Sequence, residues 1–296
     1  MRRLLISIGA DGGGTRTTAV AVGPDGKVLA RVTVGGLNWQ NIGFDAARAN
    51  MRLAVDVLLE KTGASGVKRL AIGTAGLDGA ASARDIRDFC GTAFDPKKLV
   101  LVSDATAALA GFAPKGPAAL VICGTGSAAV LRDGRGREHA IAGWGSVIGD
   151  YGGSSLLARE GLRAAMDARD GCGPRTALAG RDLRFFKAPN ARRLAARVQA
   201  AAVSELAAFA KEVLALAQKG DAVAAAVVVR QVRALARTVS AALLRHPEVR
   251  RLALHGGVFR HSAFFRRAFA AELKRLVPDA SVELLKVPPE IGVLAV

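Results

Sequence analysis

The amino-acid sequence predicts an α/β protein built from two similar halves. Its residues are 51% hydrophobic, and apolar runs of strand length alternate with longer segments whose apolar residues recur at helical spacing. One pattern occurs twice: a strand, a turn rich in glycine and threonine, a second strand, a tight turn and a third strand. An internal repeat of this kind is typical of a duplicated fold.

The two copies of this pattern mark the starts of the two predicted domains. The first copy covers residues 3–34 and has Asp25-Gly26 as its tight turn, while the second begins at residue 118 and has Asp133-Gly134. Thr15 precedes Gly26 by eleven positions, and Thr125 precedes Gly134 by nine. We therefore expect domains over residues 1–115 and 116–296, with the last residues able to return to the first domain.

Apolar periodicity predicts the elements that follow each copy. After the first copy we expect, in order, a helix over 44–62, a buried strand over 69–77, a helix over 81–89, a strand over 98–104 and a further helix. After the second copy we expect one helix from residue 154, one or two over 191–221, a long helix over 222–246, and a final strand, helix and strand over 251–287.

Composition and charge exclude several classes of protein. The net charge is +17, but the basic residues are spread along the chain and do not alternate with aromatic residues, so we expect no nucleic-acid partner. No segment approaches the roughly 18 apolar residues of a membrane helix, so we expect no membrane partner. Three separated cysteines give no disulfide framework and no zinc spacing with the four histidines. We expect a reduced, cytoplasmic protein without a metal site built from those residues.

The segment DGGGTRT, residues 11–17, predicts a phosphate-binding turn. It lacks the third glycine of a dinucleotide fingerprint and the Gly-Lys-Ser/Thr ending of a Walker A loop, and a strand follows it. Amide groups and hydroxyls of such a turn can bind phosphate oxygens, and Asp11 can hold Mg²⁺ through water. The alternative is a glycine-rich tight turn. The candidate phosphate ligands are Gly13, Gly14, Thr15 and Thr17.

The segment CGTGS, residues 123–127, repeats this turn in the second half. Its candidate phosphate ligands are Gly124, Thr125, Gly126 and Ser127. Between the copies, Asp104 follows a strand at the end where ligand sites of α/β proteins gather, so it can accept a proton from a substrate hydroxyl. The alternative is that Asp104, or Ser103 before it, caps the next helix.

Two further glycine-rich segments are candidate binding loops. In residues 142–155, five glycines allow close backbone approach to a ligand, and Asp150 can accept hydrogen bonds from sugar hydroxyls. The alternative is a flexible loop whose Trp144 packs in the core. The segment LHGGV, residues 254–258, suits a turn that a base or ribose approaches, or equally a turn at the start of a helix.

Taken together, the motifs resemble one branch of the actin–hexokinase–chaperone ATPase superfamily. This branch contains the N-acetylglucosamine and glucosamine kinases of the BadF/BadG/BcrA/BcrD ATPase family. The matching segments lie in the family's order between residues 11 and 258: DGGGTRT, GGLNWQNIG, GTAGLDG, SDATAALAG, CGTGS, GWGSVIGD and LHGGV. The resemblance implies two ribonuclease-H-like domains around a cleft that holds ATP and Mg²⁺.

The resemblance also implies roles for individual residues. Thr15 and Thr125 match residues that contact ATP phosphates, and Asp104 matches the catalytic base. The acidic residue near the metal corresponds to Asp11. The nucleoside turn corresponds to Gly256 and Gly257, and the sugar contacts to Asn38, Gly143, Trp144, Gly145 and Asp150.

The function that this resemblance implies is transfer of phosphate from ATP to the 6-hydroxyl of an amino sugar. N-acetylglucosamine is the expected substrate, with glucosamine kinase or a broader hexokinase as alternatives. An activator ATPase is disfavoured because the cysteines do not match those that hold its iron–sulfur cluster, and a non-catalytic sugar sensor is the remaining alternative. The expected partners are ATP and the sugar, with a possible homodimer.

Overall fold

The fold is that of a computed structural model, which describes residues 4–77 and 79–296. Asp78, in the GTAGLDG segment, lies outside the described residues. The chain divides into two compact units. Unit 1 contains the chain up to Gly116 together with Leu285–Val296, and unit 2 is Pro117–Leu284.

The helices and strands follow one another in a similar order in the two units. Unit 1 begins with β1 (Leu5–Gly12), β2 (Arg16–Val22), β3 (Val28–Gly35), α1 (Trp39–Thr62), β4 (Gly66–Thr74), α2 (Ala83–Cys90), β5 (Leu99–Ser103) and α3 (Asp104–Phe112). Unit 2 contains β6 (Ala118–Cys123), β7 (Ser127–Arg132), β8 (Glu138–Ala142), α4 (Ser154–Asp170), α5 (Leu178–Phe185), α6 (Ala191–Ala200), α7 (Val203–Ala208), α8 (Ala210–Gln218), α9 (Ala222–Arg245), β9 (Arg251–His255), α10 (Gly257–His261), α11 (Ala263–Leu276) and β10 (Ser281–Leu284). The chain then returns to unit 1 with α12 (Pro289–Gly292) and a 3₁₀ turn (Val293–Ala295).

Each unit contains one five-stranded sheet, and the two sheets have the same topology. The strand orders are β3-β2-β1-β4-β5 in unit 1 and, read from the corresponding edge, β8-β7-β6-β9-β10 in unit 2. In both sheets the first three strands of the unit pair antiparallel, and the first, fourth and fifth pair parallel. This confirms the predicted α/β fold with two ribonuclease-H-like domains.

Burial on both faces explains the apolar sequence of the central strand β6, in which the consecutive residues Ala119, Leu120 and Val121 are all buried. In β1, Ile6, Ile8 and Ala10 are fully buried, whereas the edge strand β3 alternates between half-buried and exposed residues. Helix α1 covers the unit 1 sheet with a stripe that includes Met51 and Leu58. The larger core of unit 2 contains an aromatic group at helices α10 and α11, formed by Phe259, Phe265 and Phe269.

The tight turns of the two hairpins are closed by equivalent hydrogen bonds. Gly26 N donates to Gly23 O at 3.0 Å in the first hairpin, and Gly136 N donates to Asp133 O at 3.0 Å in the second. Both glycines have a left-handed φ, 79° for Gly26 and 81° for Gly136. Gly136, and not Gly134 as the sequence suggested, is therefore the counterpart of Gly26. It follows Thr125 by eleven positions, as Gly26 follows Thr15.

The helical regions differ from the expected pattern in two places. Helix α1 begins at Trp39 rather than residue 44, but Gly43 has a non-helical φ of 79° and ψ of 159°, so the regular helix still starts at the expected position. The region 191–221 forms three short helices, and α5 was not predicted. Within the described residues, no helix is both long enough and apolar enough to cross a membrane.

The returning segment 285–296 is an integral part of unit 1. Val293 is fully buried and packs with Ala71, Val102 and Ala107 from the sheet and α3. The Arg69 guanidinium donates a hydrogen bond to the carbonyl oxygen of Leu294 at 3.0 Å. These contacts hold the returning segment against the sheet of unit 1 and α3.

We expect Gly292→Ala to destabilise unit 1. A Cβ at this position would lie 2.6 Å from the carbonyl oxygen of Ala107 and 2.8 Å from Cα of Gly111, so α12 would have to move away from α3. The free energy of unfolding, measured with urea, should fall by about 1–3 kcal/mol. Gly66→Ala is the matched control, because its Cβ would meet Leu5 only at an ordinary 3.4 Å. Equal stability of the two variants would contradict the packing described.

Candidate functional site

Three carboxylates, those of Asp11, Asp104 and Glu290, form an acidic edge at the carboxyl end of the parallel strands in unit 1. Asp11 lies near the end of β1, beside Gly73 of β4, and Thr74 of β4 pairs in turn with Ser103 of β5. Asp104 is the first residue of α3, directly after that strand. Glu290 comes from α12 and is 5% exposed, with Arg31 as its ion-pair partner.

The electrostatic environment of Asp11 favours its protonated form. Burial raises the pKa of Asp11 to about 6, with further contributions from the negative charges of Asp104 and Glu290, and the positive charge of Arg16 opposes this rise. A group of acids that repel one another in this way is suited to a bound cation. Glu290 was not a candidate in the sequence, because its contact with this group depends on the return of the chain to unit 1.

Capping does not account for Asp104. The N-cap of α3 is Ser103, whose Oγ accepts a hydrogen bond from Thr106 N at 3.0 Å. Asp104 follows as the first helical residue, and its Oδ1 accepts from Ala105 N at 2.7 Å. The amide groups at the start of the helix favour a negative charge there, so they help to keep the Asp104 carboxylate in place.

The first glycine–threonine turn exposes only some of its candidate phosphate ligands. Gly13 N donates to Arg16 O at 3.0 Å and closes the turn, which leaves Gly14 and Thr15 exposed. Thr17 is fully buried, and its hydroxyl donates to Gly35 O at 2.8 Å. The structure therefore groups Gly13, Gly14 and Thr15 and places the Thr17 side chain within the sheet.

The second glycine–threonine turn is tied to the start of helix α4. Gly124 N donates to Gly126 O at 2.9 Å, and Thr125 at the tip is exposed. The carbonyl oxygen of Gly124 accepts from the Ser154 hydroxyl at 2.7 Å, and that of Thr125 accepts from the Ser155 hydroxyl at 2.9 Å. These contacts hold the turn rigidly, as a phosphate-binding turn requires.

Ser127, at the base of this turn, has a buried hydroxyl available for a ligand. The residue is 4% exposed, and its Oγ has no hydrogen-bond partner among the residues that the structure describes. A buried hydroxyl without a partner costs free energy, and a phosphate oxygen at the turn would remove that cost. This observation fits the second turn to an anionic ligand.

Asp150 lies under the second turn and not in an open loop. Its carboxylate accepts hydrogen bonds from the amides of Gly145, at 3.2 Å, and of Ser127. It has a left-handed φ of 61° and is 7% exposed. Burial raises the pKa of Asp150 despite these two hydrogen bonds. The carboxylate therefore links the glycine-rich loop to the second glycine–threonine turn.

The loop before Asp150 presents apolar side chains to solvent. Trp144 is 73% exposed and Ile148 is 80% exposed. The alternative that Trp144 packs in the core is therefore wrong. Gly143 and Gly145 on either side of Trp144 have left-handed φ values of 77° and 84°. The loop thus offers an exposed aromatic face, of the kind on which a sugar ring can pack.

Asn38 begins helix α1 next to the loop that follows β4. Its Oδ1 accepts a hydrogen bond from Gln40 N at 3.1 Å, and the Gln40 side-chain amide donates to Gly76 O at 2.6 Å. The Asn38 side chain lies close to Gly76, because a Cβ on that glycine would be 2.8 Å from Asn38 Oδ1. Asn38 is therefore held by its own helix and by this neighbouring loop.

A cavity of about 610 Å³ opens beside the second turn, within unit 2. Thr125 and Ser154 line it at the turn, and Gly257 and His261 line it from α10. Its volume is in the range of small-molecule sites. Gly256 makes this arrangement possible, since a Cβ there would lie 2.2 Å from the Cys123 carbonyl oxygen.

Helices α7 and α8 form the far wall of this cavity. Lys211, Leu214 and Gln218 of α8 are among its lining residues. Sequence reasoning missed them because the alanine- and leucine-rich pattern of these helices resembles ordinary core helices. Lys211 brings a positive charge into a cavity that is otherwise lined mainly by small and apolar residues, which suits a ligand with phosphate groups.

Comparison with known families assigns the chain to one of them. The chain matches the BadF/BadG/BcrA/BcrD ATPase family over residues 8–294. It belongs to this family. The match includes both sheets and the returning segment, so the resemblance found in the sequence motifs is confirmed over nearly the whole chain.

Two relatives that are similar in sequence to this chain are named as kinases. The N-acetylmuramic acid/N-acetylglucosamine kinase of Clostridium acetobutylicum is 31% identical over 241 residues, which cover 79% of this chain and 78% of that protein. The N-acetyl-D-glucosamine kinase of Dictyostelium discoideum is 30% identical over 187 residues, which cover 58% of each chain.

Solved structures share the fold at lower sequence identity. A candidate N-acetylglucosamine kinase from Chromobacterium violaceum superimposes with a TM-score of 0.78 at 21% identity, covering 98% of both chains. A glucokinase of the ROK family from Streptomyces griseus, solved with glucose and AMPPNP, gives a TM-score of 0.64 at 19% identity and covers 98% of this chain and 97% of the glucokinase. These likenesses support the fold assignment of this ATPase family member.

We expect Asp11→Asn to stabilise the protein above pH 6. Asp11 titrates near pH 3.9 in an unfolded chain but at about 6 in the fold, so the folded state holds a proton that the unfolded state has lost between these values. Stability therefore falls as the pH rises through this window, by up to about 3 kcal/mol, and the neutral amide avoids that loss.

The measurement is thermal unfolding of both proteins at pH 4 and pH 7.5. The variant should gain stability at pH 7.5 and gain less at pH 4. Asp45→Asn, at an exposed carboxylate on α1, is the control and should change stability little at either pH. A gain of Asp11→Asn that is the same at both pH values would contradict the raised pKa of Asp11.

Proposed function

We propose that this chain is an ATP-dependent kinase that phosphorylates an amino sugar at its 6-hydroxyl, with N-acetylglucosamine as the preferred substrate. The observation that carries the proposal is the cavity of unit 2, which opens directly onto a rigid glycine–threonine turn. Membership of an ATPase family and the kinase names of the Clostridium and Dictyostelium relatives support it. Since ATP is a cytoplasmic substrate, we place the reaction in the cytoplasm.

In this proposal unit 2 binds the nucleotide. The amide of Gly126 and the hydroxyls of Thr125 and Ser127 bind phosphate oxygens, while the Gly124 amide closes the turn through its bond to Gly126 O. The ribose and base occupy the cavity beside Gly257. Phosphoryl transfer depends on positioning and charge stabilisation, so a turn fixed by Ser154 and Ser155 is appropriate for the task.

Unit 1 supplies the acidic groups in this proposal. The acidic edge fits a divalent cation. Asp11 would hold Mg²⁺, through water where the ion keeps its hydration shell. When bound, Mg²⁺ neutralises charge on the phosphates during transfer. The amides of Gly14 and Thr15 and the Thr15 hydroxyl are further phosphate ligands, while the Gly13 amide closes this turn through Arg16 O.

Asp104 is the proposed general base. Its carboxylate would accept the proton of the sugar 6-hydroxyl while that oxygen attacks the γ-phosphorus of ATP, and the bond from phosphorus to the ADP oxygen breaks. Asn38 in unit 1 would contact sugar hydroxyls. In unit 2, Gly143, Trp144 and Gly145 form the proposed sugar loop, which Asp150 holds by its hydrogen bond to the Gly145 amide.

The choice of sugar is tested with a coupled assay of ADP release. We expect activity with N-acetylglucosamine to exceed that with glucosamine and glucose. N-acetylmuramic acid belongs in the same panel, because the Clostridium relative is named for both N-acetylated sugars. ADP release that no sugar stimulates would overturn the kinase proposal, whereas a different order of preference would change only the substrate.

We expect Asp104→Asn to reduce turnover by about 10²–10⁴-fold, because an amide cannot accept the sugar proton. Binding of a fluorescent ATP analogue should remain unchanged, because the proposed contact of Asp104 is with the sugar hydroxyl and not with the nucleotide. Asp56→Asn, at an exposed carboxylate paired with Arg52, is the matched control and should retain normal turnover. Near-normal turnover of Asp104→Asn would remove this residue from the role of base.

A further inference from the structure

Three side chains of types that can bind a metal ion lie at one end of β7, and the second glycine–threonine turn lies at the other end. It consists of Asp133, His139 and His246, and one ligand atom from each residue lies within 4.8 Å of those of the other two. Asp133 follows β7, His139 is in β8, and His246 caps the C-terminal end of α9. Three separate elements therefore bring these side chains together.

The three side chains are close, and His139 contacts both of the others. The Asp133 carboxylate is almost fully buried, and its Oδ2 lies 3.0 Å from His139 Nε2. The rings of His139 and His246 have centroids 4.6 Å apart. Both imidazoles remain partly accessible, with 36% and 23% of their side chains exposed, so an ion can reach them from solvent.

The first hairpin shows that the turn itself does not need these residues. In the hydrogen-bond register of the two turns, Gly23 takes the place of Asp133 and Leu29 that of His139. The same backbone bonds form in both, with Gly23 N donating to Lys27 O at 2.9 Å and Asp133 N to Arg137 O at 3.0 Å. In the second hairpin Asp133 Oδ1 also accepts hydrogen bonds from the amides of Arg135 and Arg137, both at 2.9 Å, so this oxygen caps the turn while Oδ2 lies beside His139. The imidazole of His139 stands where the first hairpin has an exposed leucine.

The donor set identifies the class of ion. Two imidazoles and a carboxylate suit zinc and neighbouring transition metals, whereas Mg²⁺ and Ca²⁺ prefer oxygen ligands alone. With metal–ligand distances of about 2.0–2.2 Å, tetrahedral ligand atoms are about 3.3 Å apart. The 3.0 Å between Asp133 Oδ2 and His139 Nε2 is close to this value, and small side-chain rotations would bring in His246.

Two charged side chains, Glu248 and Arg137, lie next to this group and would be affected by a bound ion. Glu248 Oε1 lies 3.7 Å from His246 Nδ1 and accepts a hydrogen bond from Gly134 N, so it can orient the His246 ring from outside the three ligands. Arg137 Nε donates to Asp133 Oδ2 at 3.1 Å, but the Arg137 side chain is 63% exposed. Its guanidinium can therefore move into solvent when a cation takes its place.

We propose that Asp133, His139 and His246 bind one transition-metal ion of the zinc class, which ties the β7–β8 turn to the C-terminal end of α9. The site is separate from the Mg²⁺ position proposed at Asp11, which is in the other unit. It also differs from the expectation that the histidines form no metal site. That expectation considered only their spacing along the chain, and His246 comes from a distant segment.

The test is a zinc titration of the full chain, after chelator treatment, in competition with a chromogenic zinc indicator. We expect one Zn²⁺ per chain and a rise in the thermal unfolding midpoint when Zn²⁺ is added. His139→Asn and His246→Asn should each weaken zinc binding at least tenfold, and the double variant should lose both binding and the rise. The metal-free midpoints of the variants show whether they fold normally.

Cys172→Ser is the matched control, because Cys172 is an exposed cysteine and a thiolate is a strong zinc ligand. Its zinc affinity should equal that of the original chain. Co²⁺ bound to the original chain should give d–d absorption bands without a thiolate charge-transfer band. Zinc binding that survives in the double histidine variant, that Cys172→Ser abolishes, or that is absent from the original chain would overturn the proposal.

Discussion

Close contact of backbone with backbone at glycines in or directly after the central strands is the constraint on which the candidate site depends. In unit 1, a Cβ on Gly9 of β1 would lie 2.0 Å from the Glu290 carbonyl oxygen, and in unit 2 a Cβ on Gly256 would lie 2.2 Å from that of Cys123. Only glycine permits such approaches. In unit 1 they bring α12 to the acidic edge. In unit 2 they bring the start of α10 to the second glycine–threonine turn.

The acidic edge illustrates how function opposes stability in this protein. Asp11 is held in a largely buried position beside Asp104 and Glu290, which raises its pKa to about 6 against the opposing charge of Arg16. A fold selected for stability alone would not place an acid there. The buried Ser127 hydroxyl, without a partner among the described residues, is a similar cost in unit 2. In the proposed function a bound cation would offset the first cost and a phosphate oxygen would offset the second.

The duplicated hairpin shows how one backbone supports different chemistry. The glycine–threonine turns and the tight turns keep the same spacing in both units, since Gly26 and Gly136 each follow the corresponding threonine by eleven positions. The side chains differ at the tight-turn end of the two hairpins. Unit 1 has a leucine at position 29, whereas unit 2 has His139 beside Asp133 at the equivalent place. Because hydrogen bonds of the main chain define the turn, the side chains are free to change.

The sequence by itself determined the α/β class, the duplication, most helices and strands, and the glycine–threonine turns, because periodicity and turn chemistry are local properties of the chain. It also marked Asp11 and Asp104, which follow strands whose ends meet in a parallel sheet. Only the tertiary structure decided that Thr17 is buried, that Glu290 joins the acidic edge, that Lys211 lines the cavity and that His246 reaches Asp133. These contacts join residues far apart in the chain, and packing between distant elements leaves no periodic signal in the sequence.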